Sequence, residues 1–314
     1  MNRGFLTYSA KRVIASIPTL FILATFVFFL LRLAPGGPFD GDRVFPAEVR
    51  AAINAHYGLD LPVWKQWLRW MGAAFFHFDF GESFHYLGRT VNEMILHSLP
   101  PSLLLGFLSL CLAVLIGVPL GVLAAWRQGT WMDSSAIFIA VAGVSLPSYL
   151  VASTLVLVFS LGLGWFPAAL WEEPLSAVLP VITLALRPLA ITARLVRSSV
   201  IETLSSDYIR TAHAKGLPVS RVLFHHALRN SLIPVITVLG PLAASLVTGS
   251  FLVEMVFQIP GLGKHFVGAV LNRDYPMVMG VTLVYGVILI LSNLAVDLAC
   301  AVLDPRIRLD GKET

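Results

Sequence analysis

The chain has 314 residues, 57% of them hydrophobic and 13% charged, with a mean hydropathy of +0.80. A soluble globular domain carries about 25% charged residues, so this composition excludes one and marks an integral membrane protein. The net charge of +4 is no argument for nucleic acid, because the basic residues serve as orientation signals and docking charge.

Crossing about 30 Å of hydrocarbon takes roughly 20 apolar helical residues. Six stretches qualify, near Val13–Leu31, Pro101–Ala125, Ser135–Leu161, Ala177–Arg194, Ile233–Phe251 and Val278–Leu303. The first follows Lys11 and Arg12 as a secretory signal would, but its apolar run exceeds a signal core and no small-x-small cleavage site follows. It is expected to stay as an anchor.

Between the first and second spans, about Leu33–Ser98 is too polar for membrane and too aromatic for a linker, and predicts a small folded cap. Within it, Pro46–Tyr57 and Pro62–Phe75 read as short helices, each opened by a proline. In the second, Trp64, Trp67, Leu68, Met71 and Phe75 recur at helical spacing. That stripe lies either on the membrane interface or on the protein's own spans.

Lys and Arg concentrate on the cytoplasmic side. An inside N-terminus places Lys11, Arg12, Arg127, Arg194, Arg197, Arg210, Lys215, Arg221 and Arg306 in the cytoplasm and both termini with them. The external loop Gly162–Ser176 then has Glu172 and Glu173 and no Lys or Arg. Cys111 and Cys300 fall in spans two and six, without the spacing of a disulfide or metal site.

Ionisable groups inside a span cost several kcal/mol unless paired or wet. They are Arg187 in span four and Asp297 in span six, with Glu254 near the outer end of span five. Asp297 reads as a structural pairing group. Arg187, just before Pro188, either lines an aqueous pathway or satisfies a broken helix. PGLGK at Pro260–Lys264 is not a phosphate loop, since Gln258 and His265 stand where that motif needs Gly and Ser or Thr. The sequence also has no HExxH pair and no GxSxG turn, and an enzyme is not expected.

The polar loop of about 198–232 separates the fourth and fifth spans. Asp207, Tyr208, Arg210, Thr211, Ala212, Ala214 and Lys215 predict a short helix stopped by Gly216, Leu217 and Pro218, with a second amphipathic stretch, Val219–Asn230, returning to the membrane. A plain connector needs only a few residues, so this loop reads as a docking element for another protein.

DYIRTAHAKGLP (207–218) followed by HHALRNSLIPV (225–235) resembles the cytoplasmic signature of ABC importer permease subunits, in the oligopeptide and dipeptide branch. IPTLFILATFVFFLLRLAPGGPF (17–39), SLPSYLVA (145–152), EMVFQIPGLGKHFVGAVLNRDYPMV (254–278) and DPRIR (304–308) agree with it. The broader permease consensus has Glu-Ala-Ala where this chain has Arg210, Thr211 and Ala212, a departure usual in the peptide branch that leaves no Glu-based contact to carry over.

The resemblance implies an all-α protein with the six transmembrane helices of a type I ABC importer permease. Residues 1–32 would form the N-terminus and first helix, 33–98 an extracytoplasmic cap, and 99–314 a five-helix core. It further implies a bacterial inner-membrane location, a second homologous permease subunit, two ABC ATPase subunits that bind the ATP, an extracytoplasmic peptide-binding protein, and no cofactor in this chain. Asp207–Gly216 would be the ATPase-coupling helix. Arg187, Glu254, Pro260, Gly261, Gly263 and Asp274 are pathway or gate candidates, PGLG being read as an external re-entrant or hairpin element. Alternatives are a permease for dipeptides, nickel or another small solute, a self-sufficient carrier or channel, and a receptor or scaffold.

Overall fold

A computed structural model describes residues 3–39, 46–218 and 221–303. The DPRIR segment, Arg306 and Val219 lie outside them. The regular structure of the described residues is helical, and the extended pairing among them is a single antiparallel bridge between Glu82 and Thr90.

In chain order the helices are α1 (Arg3–Leu33), α2 (Ala47–Tyr57), α3 (Val63–Gly72), α4 (Val91–Trp126), α5 (Trp131–Ser145), α6 (Ser148–Leu155), α7 (Val178–Leu204), α8 (Asp207–Ala214), α9 (Leu228–Thr248), α10 (Phe251–Val256), α11 (Leu262–Leu271) and α12 (Tyr275–Leu303). The runs Lys11–Leu33, Val91–Trp126, Pro174–Leu204, Asn230–Val256 and Tyr275–Cys300 are each long and apolar enough to cross a membrane.

The third expected span, Ser135–Leu161, is not straight. Trp131–Ser145 and Ser148–Gly162 meet at 103°. Leu146 sits in the extended region because the ring of Pro147 forbids it the helical one. Helix α6 restarts with the Leu150 and Val151 N–H groups bonded to the Pro147 carbonyl.

Helix α7 is the hub. Of its most apolar window 56% is buried, against 11% for α1, and it packs on α4, α5 and α9. The approach of α4 depends on Gly117 and Gly121, four residues apart on one face. A Cβ at Gly121 would lie 2.5 Å from the Ala193 carbonyl oxygen and 2.6 Å from Val196 Cβ. Small residues one turn apart let helix backbones touch in a membrane. Gly121→Ala is therefore expected to cost about 1–3 kcal/mol through overpacking, read as a lower thermal-unfolding midpoint in detergent.

The segment between α1 and α4 folds as a cap. Gly58, at φ +66°, ends α2, and α3 runs through a wide turn at Ala73–His77 to Phe78. The aromatic stripe divides. Trp67, Met71 and Phe75 pack with Ala24 of α1 and Leu283 of α12, and the Trp67 indole donates to Thr25 Oγ1 at 3.3 Å. Trp64 and Leu68 stay exposed. The inner part thus lies on the protein's own spans. At the other end of the bundle, Asp297 of α12 pairs with Arg12 of α1 at 2.5 Å, the structural partnership expected of it.

Candidate functional site

Three places hold the residues singled out by the sequence. The first is α8 with the strand of chain that follows it. Its inner face, Ile209 and Ala212, is buried against Val222 and Ala227, with Leu204 and Leu217 packed around them. Ala212, expected to make room for a partner, is therefore occupied inside the chain. Asp207, Tyr208, Arg210, Thr211, Ala214, Lys215 and Gly216 are exposed. The Tyr208 hydroxyl accepts from Asn230 Nδ2 at 3.0 Å, and Arg210 faces Asp207 at 3.4 Å one turn away.

Gly216 has φ +75°, and nothing lies within 4 Å of where its Cβ would be. The Leu217 N–H then closes back onto the Ala212 carbonyl at 3.3 Å. This is the left-handed helix stop that glycine adopts at least cost. The result is a knob anchored on its own chain, with a charged outer face.

The second place is the hairpin of α10 and α11. Glu254 is fully buried. Its Oε1 accepts from Ser102 at 2.8 Å and Ser250 at 2.6 Å, and its Oε2 from the N–H groups of Gly263 at 2.9 Å and Lys264 at 3.3 Å. The Ser102 hydroxyl in turn accepts from the Leu262 N–H at 2.9 Å. Gly261, at the N-cap of α11, has no side chain to satisfy these donors, so a carboxylate from α10 does it. The N–H groups that a phosphate would need in PGLGK are thus already bonded.

Side chains at Gly261 and Gly263 would collide with this cluster. A Cβ would fall 2.5 Å from Glu254 Oε2 in the first case and 2.6 Å from Phe251 Cβ in the second. Pro260 is exposed beside them.

Asp274, also buried, closes the far end of the hairpin. It caps α12 through the Met277 N–H at 3.4 Å and accepts from the Phe84 N–H at 3.1 Å and the Ser83 hydroxyl. Arg273, at φ +56°, reaches the Gly37 carbonyl at 3.2 Å. The hairpin is in this way locked to the cap. Outside the spans, burial holds His265 of α11 below the usual histidine range, with Lys264 and Arg89 adding to the effect. Burial likewise raises the Tyr57 phenol in the cap, helped by Glu82 and Asp274.

The third place is one side of α7. Leu186 and Ala190 meet Gly143 of α5, while Leu189 and Thr192 meet Gly117 of α4. Ser199 and Thr203 accept from Ser231 of α9. Arg187, Arg194, Ser198 and Glu202, spaced by about two, one and one helical turns, lie on the remaining side, which is exposed. Arg187 stands near the middle of the segment Pro174–Leu204 and has no hydrogen bond or ion pair among the described residues. An Arg facing hydrocarbon at the middle of a span would cost about 3 kcal/mol.

Sequence reasoning missed the two-pronged ion pair between Arg197 and Asp133. Arg197 Nε and Nη2 donate to Asp133 Oδ1 and Oδ2 at 2.5 and 2.8 Å, and the Gly129 N–H adds a third bond at 3.0 Å. Asp133 opens α5 in the first turn, and 64 residues separate the two partners. The one signal was an acid set among basic residues at the expected cytoplasmic edge. Ser83, Ser102 and Ser250 left none.

Residues 117–309 match the model of the binding-protein-dependent transport system inner membrane component family. The chain is 45% identical over 305 residues to the dipeptide transport system permease protein DppB of Bacillus subtilis, covering 97% of this chain and 99% of that one. It is 44% identical to the oligopeptide transport system permease protein OppB of Haemophilus influenzae, covering 96% and 99%. The DppB protein of Lactococcus lactis is 40% identical, with the same coverage. Among solved structures, the MetNI methionine ABC transporter superposes with a TM-score of 0.52 at 18% identity, over 67% of this chain and 96% of that chain. That likeness shows the all-α type I importer permease fold. The chain is therefore a multi-pass membrane protein that belongs to the binding-protein-dependent transport inner-membrane family, on its dipeptide and oligopeptide permease branch.

Proposed function

We propose that this chain forms one half of the translocation pathway of an ATP-driven importer of short peptides in a bacterial inner membrane. A second, homologous permease subunit supplies the other half. Two ABC subunits bind and hydrolyse the ATP, and an extracytoplasmic binding protein delivers the peptide. Both termini and α8 lie on the cytoplasmic side, with the cap outside.

The observation that carries this reading is the two-faced construction of α8. Its buried inner face ties it to α7 and to the start of α9, so a push on the outer face moves spans rather than a loose loop. Asp207, Tyr208, Arg210, Thr211, Ala214 and Lys215 offer that outer face to an ATPase subunit, Ala212 holds the knob together, and Gly216 turns the chain. Closure of the ATPases then displaces α8 and switches the pathway between inward-open and outward-open arrangements. Arg187 lines the pathway. The hairpin of Pro260, Gly261 and Gly263, held by Glu254 and Asp274, sits at its outer mouth as a gate.

Purification in mild detergent from cells that express the chain with its chromosomal neighbours, followed by native mass spectrometry, tests the assembly. A second permease-like subunit and two ATP-binding subunits are expected, and a stable, partner-free chain overturns the reading. In the same preparation, Arg210→Glu reverses a charge on a seated interface, where a like-charge contact costs several kcal/mol. Uptake in proteoliposomes is expected to fall at least about tenfold while the chain stays folded. Gly216→Val has room for its side chain but strains the backbone by about 1–2 kcal/mol; ATP hydrolysis is expected to persist with uptake uncoupled from it. Normal uptake in both variants would remove α8 from the coupling path.

A further inference from the structure

We propose that Arg187 is a carboxylate-binding station near the middle of the pathway, which holds the C-terminal carboxylate of the peptide as it passes. The inference rests on the importer reading above and adds to it the chemical group recognised.

The charges that lie in or beside the spans divide into two kinds. Arg12 has Asp297, Arg197 has Asp133, Arg32 donates to Gln66, and Glu254 accepts four hydrogen bonds. Each of these is used up in holding helices together. Arg187 has no such partner among the described residues, yet it lies in an apolar segment and is exposed. It is also placed where a ligand would reach it. The sides of α7 toward α4, α5 and α9 are covered, and the uncovered side continues from Arg187 to Arg194 and Ser198, about two and three turns further along.

A guanidinium is a fixed cation whose parallel N–H groups match a carboxylate with two hydrogen bonds. The C-terminal carboxylate is the one anionic group that every unmodified peptide carries, whatever its side chains. A single Arg on the pathway wall therefore selects peptides as a class without selecting among sequences. A lone Arg also lets go: transport needs a station attractive enough to enter and weak enough to leave, which a fully enclosed, multiply bonded site would not be.

The experiment uses the whole complex with its binding protein in proteoliposomes. It compares one tripeptide with a free C-terminal carboxylate and the same tripeptide as its amide, chosen so that the unaltered complex imports both. Arg187→Gln is expected to lower the acid-to-amide import ratio about tenfold, the size of one charge-assisted hydrogen-bond loss, and Arg187→Lys to keep most of it. An equal fall for both peptides, or loss of the second permease from the purified complex, would assign Arg187 to subunit packing and overturn the proposal. A second variant does not depend on transport. Arg187→Cys, in a chain carrying Cys111→Ser and Cys300→Ser, is expected to react with a membrane-impermeant charged thiol reagent and to be shielded by the acid peptide more than by the amide. An unreactive or equally shielded thiol overturns the station. If the unaltered complex imports no peptide at all, the importer reading itself falls, a result distinct from either of these.

Discussion

Glu254→Leu is expected to abolish the folded hairpin of α10 and α11. The leucine fills the same volume, but it leaves the N–H groups of Gly263 and Lys264 and the hydroxyls of Ser102 and Ser250 without their acceptor in a buried site. Each buried polar group stripped of its partner costs about 1–3 kcal/mol. Even if two of them find other partners, the loss is about 2–6 kcal/mol, comparable with the whole stability of many domains. Glu254→Gln keeps one acceptor oxygen and turns the other into an NH₂ group that faces donors, so it is expected to fall between the two. The measurement is limited proteolysis of the purified protein, with cleavage between 249 and 273 reported by mass spectrometry. Retention of the wild-type digestion pattern by Glu254→Leu would mean that the carboxylate is not what holds the hairpin.

Breaking the Asp133–Arg197 pair is expected to be nearly as damaging, and unequally so from its two sides. Removing one partner of a buried pair costs about 3–5 kcal/mol because the other charge is stranded. Arg197→Met strands Asp133, whose side chain is 5% exposed, whereas Asp133→Leu strands Arg197, which at 24% exposed still reaches water. The Arg197 variant should therefore lose more, read as the thermal-unfolding midpoint in detergent. The double variant Asp133→Leu with Arg197→Met should recover most of the loss, since a well-packed apolar pair is often neutral relative to the ion pair it replaces. If the double variant is as unstable as the worse single one, the pair does more than balance its own charges.

Much of this fold can be read in the chain because hydrocarbon thickness sets a length that composition reveals. Five of the expected spans each overlap a helix long and apolar enough to cross a membrane and the other overlaps the bent pair α5 and α6, while α2 and α3 begin just after Pro46 and Pro62. What composition cannot report is direction. The run from Ser135 to Leu161 is uniformly apolar, and only the steric rule at Leu146–Pro147 turns it by 103°. The exposed face of α8 was legible from helical spacing, but the burial of Ala212 was not, because its partners Val222 and Ala227 come from the returning chain. The roles of Glu254 and Asp133 depend on partners up to 152 residues away, and such pairings leave no periodic trace in one sequence. Glu254 offers a further lesson: the residue that caps α11 lies seven positions before the glycine that opens it, outside the local window in which caps are sought.

Helix α1 packs chiefly on α12, through Leu20 and Leu23 against Gly286 and through the Arg12–Asp297 pair, and its other neighbour is the cap helix α3. In the order of synthesis α1 thus precedes by more than 240 residues the helix on which it is seated. Until the residues near 297 have left the ribosome, the Arg12–Asp297 pair cannot form, and the face of α12 on which α1 packs does not yet exist. Contacts of such sequence separation are slow to form. A chain truncated before α12 should therefore leave α1 undocked and open to cellular quality control, even with the hub around α7 already in place.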